Sequence, residues 1–253
     1  MTSSVRRACA EPRLAGWRGA AAALAAVAAL AGAGAALGGA GAVFPVDAHE
    51  PDAVTAPPMD FVPPPAGSYP LHAIMRAPDG AVLDLDGRHQ PLRHFTSGKI
   101  TLLGFMYTSC SDPHGCPLAY QVFHTVRHRV ATQAALRDRV RLVSLSFDPA
   151  RDTPRAMKSY MAGMAPAAVE WAFLTTASPR TLVPLLDGFG QDVRVENDAG
   201  GRALGPLAHV LKVFLIDARG TVREIYTTSY LYPDVILNDI QTLHLETTRS
   251  TMR

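Results

Sequence analysis

The segment Tyr107-Thr-Ser-Cys110-Ser-Asp-Pro-His-Gly-Cys116-Pro117 holds the residues of this chain best suited to chemistry. Two thiolates close together suit two reactions: reversible disulfide exchange, and binding of a soft ion such as Cu(I). The local sequence does not separate the two. A plainer use is a structural disulfide, the ordinary end of a cysteine pair in an oxidising compartment. A bridge over so short a loop removes little chain entropy, which favours chemistry over scaffolding. A cysteine near a helix N-terminus also has its thiolate stabilised by the helix dipole and free N–H groups.

Other candidates are weaker. His124 and His128 stand at i, i+4, a spacing able to hold a metal. No Glu follows His124 as in zinc peptidases and no third ligand is evident, so both read as surface residues. Asp148, Arg151 and Asp152 resemble an acid–base cluster, but fit better as a strand-to-helix turn with Asp152 or Thr153 as the cap. His209 alone reads as a satisfied histidine ahead of an apolar strand, and Trp171 as core. No Gly-rich phosphate loop or Ser-His-Asp order is present.

The elements that must position the cysteines alternate between strand and helix. Ile100–Tyr107 is a continuous apolar run of strand length, as expected for a strand buried on both faces. After the cysteine loop, Leu118, Val122, Phe123, Val126 and Val130 recur at helical spacing, predicting a helix to about Leu136. Val140–Phe147 is a second strand, and Thr153-Pro154 opens a helix with a cap and a proline at its first position. The remaining elements are a strand at Trp171–Thr175, a helix at Pro179–Phe189, strands at Val210–Asp217 and Val222–Tyr226, and a helix from Pro233 to about Leu243. Asp79-Gly80 and Asp86-Gly87 bracket Ala81–Asp84 in a hairpin-like opening. The alternation predicts an α/β sheet layered with helices. The cysteines then fall at the carboxyl end of a buried strand, where such sheets put their sites.

Of 253 residues, 48% are apolar and 18% charged, enough to build a core. The formal charge is +2, but residues 1–42 carry Arg6, Arg7, Arg13 and Arg18 against Glu11, a local +3 that leaves −1 for the remainder. A nearly neutral body excludes nucleic acid as partner, since phosphate binding needs a concentrated basic face. Arginines ahead of the Ala- and Gly-rich run Gly19–Val46 read as an export segment over residues 1–42, either a cleaved signal peptide or a membrane anchor. The positive-inside rule then puts the chain after residue 46 outside the cytoplasm, in the periplasm. Cys9 lies in the export segment, so the exported part keeps only Cys110 and Cys116. Eight of the chain's 20 prolines lie between Val43 and Pro70, so residues 43–68 are expected to form an extended spacer. The folded domain spans 69–244, and 245–253 is a polar tail expected to fray.

In this order the motifs resemble the Sco/SenC proteins, copper-assembly factors for cytochrome c oxidase with a thioredoxin-like fold. The resemblance runs from about Ala66 to Leu243. It rests on Gly104-Phe-Met-Tyr-Thr-Ser-Cys110 with Cys116-Pro117, on Asp148-Pro-Ala-Arg-Asp-Thr-Pro154, on Trp171-Ala-Phe-Leu-Thr175, and on His209 before Leu215-Ile-Asp-Ala-Arg-Gly220. It implies a central mixed sheet flanked by helices and copper held by Cys110, Cys116 and His209. It further implies a copper-bearing oxidase subunit, or another copper protein, as partner. Family members usually have three residues between the cysteines, and this chain has five. His114 lies inside the lengthened loop, as a solvated histidine or an added ligand, and Asp112 follows Cys110 at the spacing of a family Asp. The leading reading is a metallochaperone rather than an enzyme. The alternative is a periplasmic thiol–disulfide oxidoreductase, served by a thiol reductant, with Cys110 and Cys116 as its redox pair. A third is a peroxiredoxin-like peroxidase, for which Thr108 is close to Cys110 but no activating Arg can be placed.

Overall fold

The computed structural model describes residues 58–164, 167–194 and 208–251; the proposed export segment and most of the spacer lie outside them. Ile100–Met106 (β4) and Val140–Ser146 (β5) are buried at every position; for β4 that is what its apolar run requires, while β5 also buries Arg141, Ser144 and Ser146. They pair in parallel, and Glu170–Leu174 (β6) continues the parallel run on the far side of β5. On its other edge β4 pairs antiparallel with Val213–Ile216 (β9). The sheet continues through Thr221–Tyr226 (β10) to the edge strand Met75–Arg76 (β1), giving the order β1-β10-β9-β4-β5-β6. This is the expected mixed α/β sheet. Ala81–Leu83 (β2) and His89–Pro91 (β3) form the separate opening hairpin, followed by the short helix Arg93–Thr96 (α1).

Helices cover both faces because β4 alternates its side chains between them. Gly104 lies under Cys116–Ala131 (α2): a Cβ there would sit 3.1 Å from Phe123 Cζ, so glycine lets this helix lie close to the strand. The next residue, Phe105, meets Phe189 of Pro179–Phe189 (α4) with ring centroids 5.5 Å apart. The last helix, Pro233–Thr251 (α5), packs against α2. Between β5 and β6 runs Pro154–Tyr160 (α3).

Three boundaries differ from expectation, each for a local reason. The helix α2 ends at Ala131 rather than near Leu136, and Gln133 to Leu136 closes a separate turn through the 2.9 Å bond from Leu136 N–H to Gln133 O, burying Leu136. The strand expected at Val210–Asp217 is confined to β9, with Ala208–His209 (β8) split off to pair with Val193–Arg194 (β7). The polar tail is helical to Thr251: Thr247 and Thr248 hydroxyls bond back to Leu243 O and His244 O, and Glu246 takes 2.8 Å from Arg223.

The end of the proline-rich stretch is not a free spacer. Phe61 lies against Tyr230 and Tyr232, Asn238 donates to Pro64 O at 2.9 Å, and Thr242 Oγ1 accepts the N–H of Gly67 at 2.9 Å. Tyr69 donates to Asp239 at 2.5 Å, and the opposite carboxylate oxygen takes Tyr226 OH at 2.7 Å. Burial, ahead of any other influence, raises the Asp239 carboxyl above its usual value. Asp239→Ala leaves two phenols without their acceptor. It is expected to cost about 1–3 kcal/mol and to open residues 58–69 to proteolysis, read by thermal melting and by mapping the first cleavage site.

Candidate metal centre

Strand β4 runs into Tyr107 and the cysteine loop, and the chain re-enters helix at Cys116, the first residue of α2, with Gly115 as its N-cap. Pro117 follows where a missing N–H costs nothing. Asp112 folds the lengthened loop: its side chain accepts His114 N–H at 3.0 Å, and its carbonyl accepts Gly115 N–H at 3.0 Å. Two turns therefore absorb the extra residues. Cys116 is buried, Cys110 is half-buried, and both are free thiols.

The two sulfurs are close enough to share a proton. The Cys116 thiol donates to Cys110; backbone N–H groups of Cys116 and Asp112 and the phenol of Tyr107 point to the same sulfur. Together they outweigh burial and pull Cys110 down to about 5. The same hydrogen bond, with deeper burial and the Cys110 charge, pushes Cys116 strongly upward. The reduced site thus holds one thiolate and one thiol. Burial, then the bond to Cys110, raises Tyr107 as well.

Asp152 holds the loop in place. It is 1% exposed and accepts from Ser146 OH at 2.6 Å, from Thr108 N–H at 3.1 Å and from the Thr108 hydroxyl. Ser146 closes β5, and Thr108 stands two residues before Cys110. Of the two residues expected to cap α3, Thr153 does so, accepting Ala156 N–H at 3.3 Å, while Asp152 faces the cysteine loop. Arg151 pairs with Asp148 at 2.8 Å, which makes this segment a turn rather than an acid–base pair.

An aromatic wall stands behind Cys116. Tyr120, Phe123, Tyr160 and Phe173 line one small pocket with it. Trp171 is core, as expected: its ring lies 5.3 Å from Tyr120 and 5.0 Å from Phe173, and Nε1 donates to Ser144 Oγ at 3.0 Å. Arg127 sits 5.9 Å over the indole.

The histidines divide. His114, His124 and His128 are exposed. His209 lies in β8, opposite Val193. Because Val213 pairs with Gly104, the chain before Val213 emerges at the same end of the sheet where β4 runs toward Cys110. The backbone of His209, in the chain that leads into β9, therefore lies toward the cysteine end of the sheet; its imidazole is outside the described side chains. Among the described residues no third His, Cys, Asp or Glu joins the two thiols in a metal-holding group.

Fold and site together define a thioredoxin-like protein carrying a thiol–thiolate pair at a strand-to-helix turn. The chain belongs to the SCO1/SenC family, whose model matches residues 84–244. Solved structures agree on the fold. Apo Sco1 from Thermus thermophilus is 23% identical, with a TM-score of 0.55 over 70% of this chain and 95% of that one. ScoI from Bradyrhizobium japonicum with copper bound is 22% identical, with a TM-score of 0.51 over 64% and 99%. BsSco, described as a member of the Sco family of cytochrome c oxidase assembly proteins with a disulfide switch, is 21% identical, with a TM-score of 0.51 over 67% and 94%. No curated protein matches the sequence.

The sequence offered Asp152 or Thr153 as the cap; Thr153 takes that role, and the link from Asp152 to the cysteine loop is what sequence reasoning missed. The identity of Asp152 was visible in the turn motif, but its partner Thr108 is 44 residues away. Asp152→Ala is expected to lower stability by about 2–4 kcal/mol, because it orphans the buried Ser146 hydroxyl and the two part-buried donors of Thr108; denaturant unfolding measures it. Cys110 should react with iodoacetamide well below the ordinary thiol pKa of about 8.5, its rate falling only as pH drops toward 5. In Cys116→Ala, which removes the principal donor to the thiolate, the midpoint should move up, read from alkylation rate against pH.

Proposed function

We propose that this protein is a copper carrier of the exported compartment. It takes copper on Cys110, Cys116 and His209 and delivers it to the binuclear copper centre of cytochrome c oxidase. The observation that supports this is the shared placement: two free thiols in hydrogen-bond contact, and the chain leading from His209 into β9 meeting the sheet at the same end. The donor set suits the cargo. Two sulfurs favour Cu(I), and one imidazole makes Cu(II) tolerable as well. Both sulfurs must be reduced to bind, so oxidation to a disulfide switches the site off. Family membership and the copper held by the Bradyrhizobium japonicum relative support the same reading. The arginine-flanked apolar run before residue 43 supports export, with a cleaved signal or a retained inner-membrane anchor.

Within this reading the chain's own residues have distinct tasks. Asp152 and Thr108 fix the start of the sulfur loop, and Asp112 folds its middle. The wall of Tyr120, Tyr160 and Phe173 keeps water from Cys116.

The second reading is a thiol–disulfide oxidoreductase, favoured by the adjacent free thiols. Cys110 thiolate would attack a partner disulfide, Cys116 would displace the partner's second thiol, and an external thiol reductant would restore the pair. A peroxidase role has less support, since the Thr108 hydroxyl proton is already given to Asp152. One measurement separates the first two. Reduced protein should take up one copper, and Cys110→Ala, Cys116→Ala and His209→Ala should each weaken binding by about 100-fold or more, beyond the loss typical of an outer-sphere partner. Full affinity in His209→Ala, with undiminished reduction of a model disulfide, would turn the assignment to the oxidoreductase.

A further inference from the structure

Helix α2 carries a second set of metal-ligating side chains, apart from the sulfur pair. His124 and His128 stand one turn apart on it and are both exposed. No other helix among the described residues holds two histidines. At this spacing the Cβ atoms are about 5–6 Å apart, and both side chains lean toward the helix N-terminus. Two imidazoles so placed reach one ion at metal–nitrogen distances of about 2 Å.

The surroundings favour the pair. Leu118, Val122, Phe123, Val126 and Val130 bury the opposite side of the helix, which holds the exposed turn rigid. The His124 ring rests against Tyr120, with centroids 5.8 Å apart, and lies 6.2 Å from Trp171. A ring already restrained gives up less freedom on binding. The neighbouring cations are committed elsewhere. Arg127 is buried, with Nε donating to Val169 O at 2.9 Å, and Arg129 pairs with Asp234 of α5 at 2.5 Å. No third His, Cys, Asp or Glu among the described residues completes a metal-holding group, so water or a small chelator fills the remaining positions. Two imidazoles without sulfur favour Cu(II), which stands above Zn(II) in the divalent order, whereas thiolates draw Cu(I).

We propose that His124 and His128 form a second metal site, a two-imidazole clamp for Cu(II). At 1.5 Å of rise per residue it begins about 12 Å along α2 from Cys116, and it shares no residue with the sulfur loop. The clamp needs no thiol. It stays open when Cys110 and Cys116 are joined as a disulfide, so the oxidised protein keeps a hold on copper. The inference stands independently of copper carriage by the sulfur pair.

The probe is copper(II) iminodiacetate, whose three donors leave open positions that suit a pair of neighbouring imidazoles better than a lone one. The full chain is used with its sulfur pair oxidised, and again as Cys110→Ser/Cys116→Ser, so that thiols neither bind nor reduce the ion. Calorimetry should show one complex bound per chain, and electron paramagnetic resonance two histidine nitrogens on the copper. His124→Ala and His128→Ala should each weaken binding by about 100-fold, the low end of what a second tethered ligand adds. The double substitution should cost little beyond either single one, because the two rings act as a unit. Alanine is a good helix former, so an unchanged thermal melt certifies the variants. His209→Ala should bind the probe like its parent. A spectrum with one histidine nitrogen would overturn the inference, as would affinity within about twofold of the parent in either single variant. The spectrum of the oxidised wild-type protein decides the matter even if the serine variant does not fold.

Discussion

Ser146 at the end of β5 and Thr108 at the start of the cysteine loop both bond to the carboxylate of Asp152, and the rest of the site depends on that junction. A parallel strand pair can carry a loop at its carboxyl end, but nothing in the pair itself fixes where the loop goes. Asp152 does so by charge-assisted hydrogen bonds in a buried setting, where such bonds are strong and their loss is costly. From there the chain has little freedom. Tyr107 O holds Cys110 N–H at 3.2 Å, Asp112 turns the loop, and the N-terminus of α2 receives Cys116.

The asymmetry of the two sulfurs follows from that geometry. Both stand near the same helix N-terminus and both meet backbone N–H groups, but Cys110 also takes the phenol of Tyr107 and the thiol of Cys116. Cys116 is deeper, faces the aromatic wall, and serves as donor. One sulfur is thus a half-buried anion and the other a shielded acid. That arrangement fits an ion that enters from solvent and is then buried, and it equally fits an exchange reaction with a leading and a resolving thiol. This is why His209, rather than the cysteines, discriminates between the two proposed functions.

Much of this was legible in the sequence. The apolar run of β4 read as a strand buried on both faces, Val140–Phe147 as a second strand, and the helical spacing from Leu118 to Val130 named the face of α2 that lies on the sheet. Motif order led to the family. The features that escaped have one cause: interactions between residues far apart in the chain. Nothing local links Asp152 to Thr108, Asn238 to Pro64, or Gln191 to Val210. Composition alone made the stretch up to Pro70 a spacer and the last residues a frayed tail. Tertiary contacts with Asn238 and Thr242, and with Arg223, made the one a strap along α5 and the other a continuation of it.

Trp171 is one of only two tryptophans in the chain, and the other, Trp17, lies in the N-terminal segment. Its indole stacks on Tyr120, which shares a pocket with the Cys116 sulfur. Indole emission is quenched by nearby electron-rich sulfur and by paramagnetic ions. The folded domain therefore contains an intrinsic optical gauge, and fluorescence from a single ring can follow the occupancy and oxidation of the sulfur pair without any added dye.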